Sequence, residues 1–179
     1  MKYKKILFVC FIFVFGKISV SSAEPENLYQ RFDGQNVKIY VQNVEDATAE
    51  KALDRNQFKE KIEEALKARK SIQFEPIQDP KSAALEIRTT IQEFYWTDHD
   101  PVDMIMGAAA IAMDAATAED YARVQATVLV IDTKTNKTLW ENKIMATVTK
   151  KPMSKVESIP LVAEDFAKVF IKQCFGKKH

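Results

Sequence analysis

Apolar positions along this chain change their period several times, and each period predicts an element. Val37, Ile39 and Val41 alternate with Lys38, Tyr40 and Gln42, the pattern of a strand with one buried face. Asn43 to Asp54 is polar and turn-like apart from Ala52 and Leu53. The spacing then becomes helical: Phe58, Ile62, Ala65 and Leu66 form a stripe, and Lys59, Glu60, Lys61, Glu63, Glu64 and Lys67 form the solvated face opposite. On that face the Glu63–Lys67 spacing adds about 0.3 kcal/mol to the helix. A short strand, Ser71 to Glu75, is closed by Pro76. Leu85, Ile87, Thr89 and Ile91 then alternate with Glu86, Arg88, Thr90 and Gln92. At Phe94-Tyr95-Trp96 the apolar phase slips by one residue, which marks a bulge or an exit from the sheet.

A second strand pair follows. Ala122, Val124, Ala126, Val128 and Val130 point one way and Arg123, Gln125 and Thr127 the other, so Tyr121 to Ile131 is a long strand. Asp132 to Lys137 reads as a hairpin turn with Asn136 in the left-handed position. Thr138 to Thr149 returns with Trp140, Ile144, Ala146 and Val148 on one face. In the closing helix Ser158 serves as the cap and Pro160 falls in the first turn. Its buried stripe is Val162, Phe166, Val169, Phe170, Gln173 and Cys174, and Gly176 stops it. The order β-α-β-β-insert-β-β-α predicts an α+β two-layer sandwich: a mixed or antiparallel sheet of about five strands with two helices on one face. The other face, carrying Lys38, Tyr40, Gln42, Arg88, Arg123 and Gln125, is left for solvent or a partner.

Length and charge place this domain in the chain. The 179 residues suffice for one domain, expected over 36–176, with an insert at 97–120 and a short tail at 177–179. In front of it, Lys2, Lys4 and Lys5 precede an unbroken apolar run from Ile6 to Phe15, and Ser21-Ser22-Ala23 supplies small residues. That is the form of a secretory leader over residues 1–23, cleaved after Ala23, with residues 24–35 as a polar linker. The alternative is a retained anchor, but the ten-residue apolar run is half of the ~20 residues a spanning helix needs. No later run is long enough, so no integral span is expected in the mature form. Without the four lysines of the leader, 22 basic side chains stand against 25 acidic ones, a net of −3. A mildly acidic body without a basic stripe excludes nucleic acid as a partner.

Candidate chemistry is sparse. Cys10 lies inside the apolar run, and Cys174 falls on the apolar face of the last helix, where a buried, inert thiol is expected. Asp98, His99, Asp100 and Asp103 make a carboxylate-rich loop that could hold a divalent ion. Around Pro101 such residues more commonly cap turns, so neither a metal nor a cofactor is expected. No nucleophile–base set and no phosphate loop stands in the sequence, and no catalytic residue is assigned. The segment Val102 to Thr117 joins two strands that a short turn could join, and it is rich in Met and Ala. It reads either as a helix packed on the sheet edge or as an exposed adhesive tip. In the second case Met104, Ile105, Met106 and Ile111 work with Phe94, Tyr95 and Trp96 as an interaction surface.

One local signature supports a resemblance. Ala84-Leu85-Glu86-Ile87, then Ala126 to Asp132, a polar turn, and Leu139-Trp140-Glu141 give the chain a pattern similar to small envelope proteins of Gram-negative bacteria. The pattern most resembles the lipopolysaccharide-assembly lipoprotein family, with related layouts in penicillin-binding-protein activators and auxiliary lipoproteins of envelope transporters. The chain departs from them in lacking a lipidated cysteine at the start of the mature body. The resemblance implies an exported, periplasmic protein, in association with the outer membrane, that serves envelope assembly by binding a protein or lipid component. The surface expected to do so is the 94–117 segment. The alternative is a small-ligand or metal-binding periplasmic protein using the Asp98–Asp103 loop. The oligomeric state is left open.

Overall fold

The computed structural model describes residues 26–49, 53–97, 120–150 and 153–177. In chain order the elements are α1 (Tyr29–Phe32), β1 (Asn36–Val41), β2 (Glu45–Asp46), α2 (Arg55–Lys67), β3 (Gln73–Pro76), a 3-10 turn (Pro80–Ser82), β4 (Leu85–Thr97), β5 (Asp120–Asp132), β6 (Lys137–Lys150) and α3 (Lys155–Phe175). The strands form one sheet in the order β3-β1-β4-β5-β6, with β2 pairing β4 farther along. β1 runs parallel to β3 and β4, with α2 as the crossover between β1 and β3, whereas β4, β5 and β6 are antiparallel. This is the mixed α+β two-layer arrangement that the hydrophobic periods predict.

One face of the sheet carries the core. Val37, Ile39, Val41, Leu85, Ile87, Ile91, Val124, Ala126, Val128, Val130, Trp140 and Ile144 meet the apolar stripes of α2 and α3. Phe58 of α2 packs edge-on to Phe166 of α3 at 6.0 Å, and Trp140 lies 5.7 Å from Phe170. Phe74 meets Phe175 at 4.8 Å and closes the β3 end of the layer. Each such ring, fully buried, contributes about 1.5–3 kcal/mol relative to exposure. β4, β5 and β6 are 13, 13 and 14 residues long and carry two irregularities. The first is the expected phase slip: Ile91 pairs with Ala126 and Glu93 with Gln125, leaving Gln92 bulged. The second skips Leu139, because Val130 pairs with Trp140 and Ile131 with Thr138.

Four expectations need correction. Residues 26–35, read as a polar linker, dock onto the body: Leu28 and Phe32 are buried, and Leu28 N–H donates to the Cys174 carbonyl at 2.7 Å. Gly34, with φ +72°, turns this segment into β1. The Asn43–Asp54 turn contains β2, held to Thr90 and Ile91 of β4. The last helix starts earlier than Ser158. Ser154 accepts from Glu157 N–H while the Glu157 carboxylate accepts from Ser154 N–H, a complete capping box. Ser158 is buried instead, its hydroxyl donating to the Lys155 carbonyl at 2.7 Å, and Pro160 lies inside the helix. Gln173, placed on the buried stripe by its spacing, is exposed and accepts from Asn142. At the other terminus of α3 a Cβ on Gly176 would collide with the Lys172 carbonyl, which is why glycine ends it.

Candidate interaction site at the hairpin end

Past the bulge at Gln92, strands β4, β5 and β6 continue together as a three-stranded ribbon, and its end is where the sequence placed an interaction surface. Phe94 pairs with Val124, Tyr95 with Arg123, Trp96 with Ala122 and Thr97 with Tyr121. β6 runs alongside, with Thr147 beside Arg123 and Thr149 beside Tyr121. Because side chains alternate across a strand, the aromatic trio is divided between the two faces. Phe94 turns to the core and packs against it, half-buried. Trp96 is on the same side, and its indole N–H donates to the Met153 carbonyl at 3.2 Å. Met153 N–H in turn donates to the Asp120 carboxylate, so the start of α3 is tied to this end of the ribbon.

Tyr95 alone of the three faces outward, 41% exposed. Its ring lies 6.2 Å from that of Tyr121 at 59°. Beside them Arg123 reaches Glu93 at 3.8 Å, and its Nε is buried without a hydrogen-bond partner among the described residues. One row farther in, Met145 lies across from Gln125 and is 50% exposed. The outward surface is therefore two tyrosines, an arginine–glutamate pair and a methionine on a three-stranded ribbon. Tyrosine, arginine and methionine are the residues enriched where proteins meet. Arg123 was legible as an open-face residue, whereas Gln125, expected on the same open face, is buried. Tyr121 and Met145 were not singled out, although the inward alternation of Ala122, Val124, Ile144 and Ala146 assigns both to the opposite face.

Met104, Ile105, Met106 and Ile111 lie outside the described residues, as does the Asp98–Asp103 loop. Among the described residues no three His, Cys, Asp or Glu side chains gather as a metal site would require. Elsewhere the surface has an open groove of about 470 Å³ between α2 and α3, rimmed by Lys61, Arg69, Glu164 and Lys168. A cleft of about 610 Å³ lies among Lys38, Glu75, Lys81 and Lys134. Cys174 is fully buried, and desolvation pushes its thiol far above the usual range, so it stays protonated. No helix among the described residues is long and apolar enough to cross a membrane.

No protein-family model matches the chain, and no curated protein matches it. Solved structures do overlap with it. Against a subunit of the PelC dodecamer from Paraburkholderia phytofirmans the TM-score is 0.50 at 14% identity, covering 78% of this chain and 89% of that one. The fold is similar to that of PelC. Lipoprotein GNA1162 from Neisseria meningitidis overlaps with a TM-score of 0.41 at 10% identity over 67% of this chain and 88% of that one. A minor lipoprotein from Acinetobacter baumannii overlaps with a TM-score of 0.42 at 13% identity over 76% and 90%. At such identities the PelC likeness is one of fold, and the two looser overlaps carry no further argument. These neighbours are bacterial and two are lipoproteins; the narrower kinship with the lipopolysaccharide-assembly family is not what they show.

Proposed function

We propose that this protein is a non-enzymatic accessory module of the bacterial cell envelope, exported to the periplasm, which binds another envelope protein or lipid through the hairpin end. The observation that carries the reading is the outward surface there. Tyr95, Tyr121, Arg123 and Met145 are held on a three-stranded ribbon whose other face is fastened to the core by Phe94 and Trp96. Such a surface gives a partner rigid aromatic area at little entropic cost. The absence of a catalytic role is part of the proposal, and it accords with a sole cysteine whose thiol is buried and protonated among the described residues.

The test is capture from envelope extract on a C-terminal tag. Three proteins are compared: wild type, a Tyr95→Ser/Tyr121→Ser variant, and a variant carrying Ser at positions 104, 105 and 106. The expected result is one or more envelope components enriched by wild type and lost from both variants, with melting temperatures unchanged. Retention of the same components by both variants would remove the hairpin end from the binding surface. A fall of several degrees in the triple variant with capture intact would make Met104, Ile105 and Met106 part of the core instead.

A further inference from the structure

We propose that the free edge of β6 pairs with β6 of a second copy of this chain, antiparallel, about a two-fold axis passing through Asn142. The proposal goes beyond the hairpin end and shares with it only Met145. β6 is 14 residues long and bonds to β5 on one side, while no strand meets its other edge among the described residues. An edge of that length is a row of backbone donors and acceptors able to take another strand. A two-fold operator makes the contact self-complementary, residue i meeting j and j meeting i.

The charges on the strand select the register. Side chains that share a sheet face must meet across the new pair, so residue numbers opposite one another sum to an even value. With the axis at Asn142, Glu141 lies opposite Lys143 twice on the outer face, and Trp140 lies opposite Ile144 twice on the core side. The next step brings Met145, half-exposed in the single chain, opposite the bulged Leu139. Moving the axis to Lys143 sets lysine against lysine, and moving it to Glu141 sets glutamate against glutamate. Moving it to Ile144 leaves both charges without a counterion. Lysines and a bulge on an edge strand ordinarily repel a second strand. Here the repulsion from Lys143 is cancelled in the one register that Glu141 provides.

The backbone at the axis already shows how the edge is kept before pairing. Lys143 N–H donates to Asn142 Oδ1 at 2.9 Å, while Asn142 Nδ2 donates to Gln173 Oε1 at 3.0 Å. In the pair, Lys143 N–H turns to the partner's Glu141 carbonyl and Asn142 keeps its bond to Gln173. The donor is thus satisfied in either state.

Sedimentation velocity of the purified full chain over a concentration series tests this. Wild type is expected to be dimeric. Lys143→Glu and Glu141→Lys each weaken the dimer about tenfold or more, since like charges then face one another twice. The double variant Glu141→Lys/Lys143→Glu restores it. Both side chains are exposed, so thermal melts of all variants should coincide with wild type; the neutral pair Glu141→Gln and Lys143→Gln replaces them if they do not. A wild type that is monomeric at every concentration overturns the proposal. So does a dimer indifferent to the single reversals, or one that the double exchange fails to restore.

Discussion

Cys174 shows what a single side chain can be asked to do in this core. It is fully buried near the C-terminal end of α3, its carbonyl receives Leu28 N–H, and desolvation holds its thiol protonated. A thiol in that state is neither nucleophile nor metal ligand. Iodoacetamide should therefore leave Cys174 of the native protein unlabelled and react with it only once denaturant opens the fold. Labelling at native rates would mean that this end of α3 frays. Cys174→Ser puts a hydroxyl into the same apolar site and should lower stability by about 1–3 kcal/mol. Trp96 makes the contrasting case, because one polar atom decides its role. Trp96→Phe keeps the apolar contact and loses the bond to the Met153 carbonyl, a loss of about 1 kcal/mol in chemical denaturation. An unchanged midpoint would detach α3 from the ribbon and weaken the claim that the hairpin end is rigid.

At the scale of elements, the cap of α3 carries the most specific expectation. Ser154→Ala removes the hydroxyl that accepts from Glu157 N–H, leaving the backbone half of the capping box, and should cost about 1 kcal/mol, whereas Ser154→Gly should cost only a few tenths, roughly 0.3 kcal/mol. Equal losses would mean that the cap hydroxyl does little. The box also shows why parts of this fold were legible in sequence and others were not. The strands and long helices bury one face each, so their apolar residues repeat with the element's own period and could be read directly. Ser154 and Glu157 stand three apart, the spacing of a capping box, but Pro160 drew the helix start to Ser158, since proline is commonest in a first turn. Pro160 lies well inside the helix instead, just beyond Val156, which is 77% exposed. Leu28 and Phe32 bury two side chains within a polar stretch, too few to establish a period. The two residues of β2 are too short to show one. At the candidate site, adjacency in sequence grouped Phe94, Tyr95 and Trp96, whereas the pleat parts them and joins Tyr95 to Tyr121, which lies twenty-six positions away.

For the whole molecule, the carboxylates that hold its joints together make stability depend on acid in a stated direction. The Ser82 hydroxyl holds Asp79 below its ordinary range in the 3-10 turn, and Thr135 N–H does the same for Asp132 in the β5–β6 turn. At the start of α3 the Ser154 N–H lowers Glu157, and on its exposed side Lys168 lowers Glu164. A carboxylate depressed in the folded chain takes up its proton first in the unfolded one, so each contributes stability that is whole above the ordinary carboxylate range. That contribution is lost as pH falls through the lowered folded values. Each group is exposed and screened, and the effect comes from their number and their positions at turns and caps. Calorimetric melts from neutral pH into acid should be level at first and then fall below about pH 5. The double variant Asp132→Asn/Glu157→Gln should melt lower than wild type at neutral pH and converge on it in acid, because it has two fewer lowered carboxylates to protonate. Curves that stay parallel down to the acid limit would show that these two carboxylates titrate alike in the folded and unfolded chains. The acid sensitivity would then belong to carboxylates elsewhere in the protein.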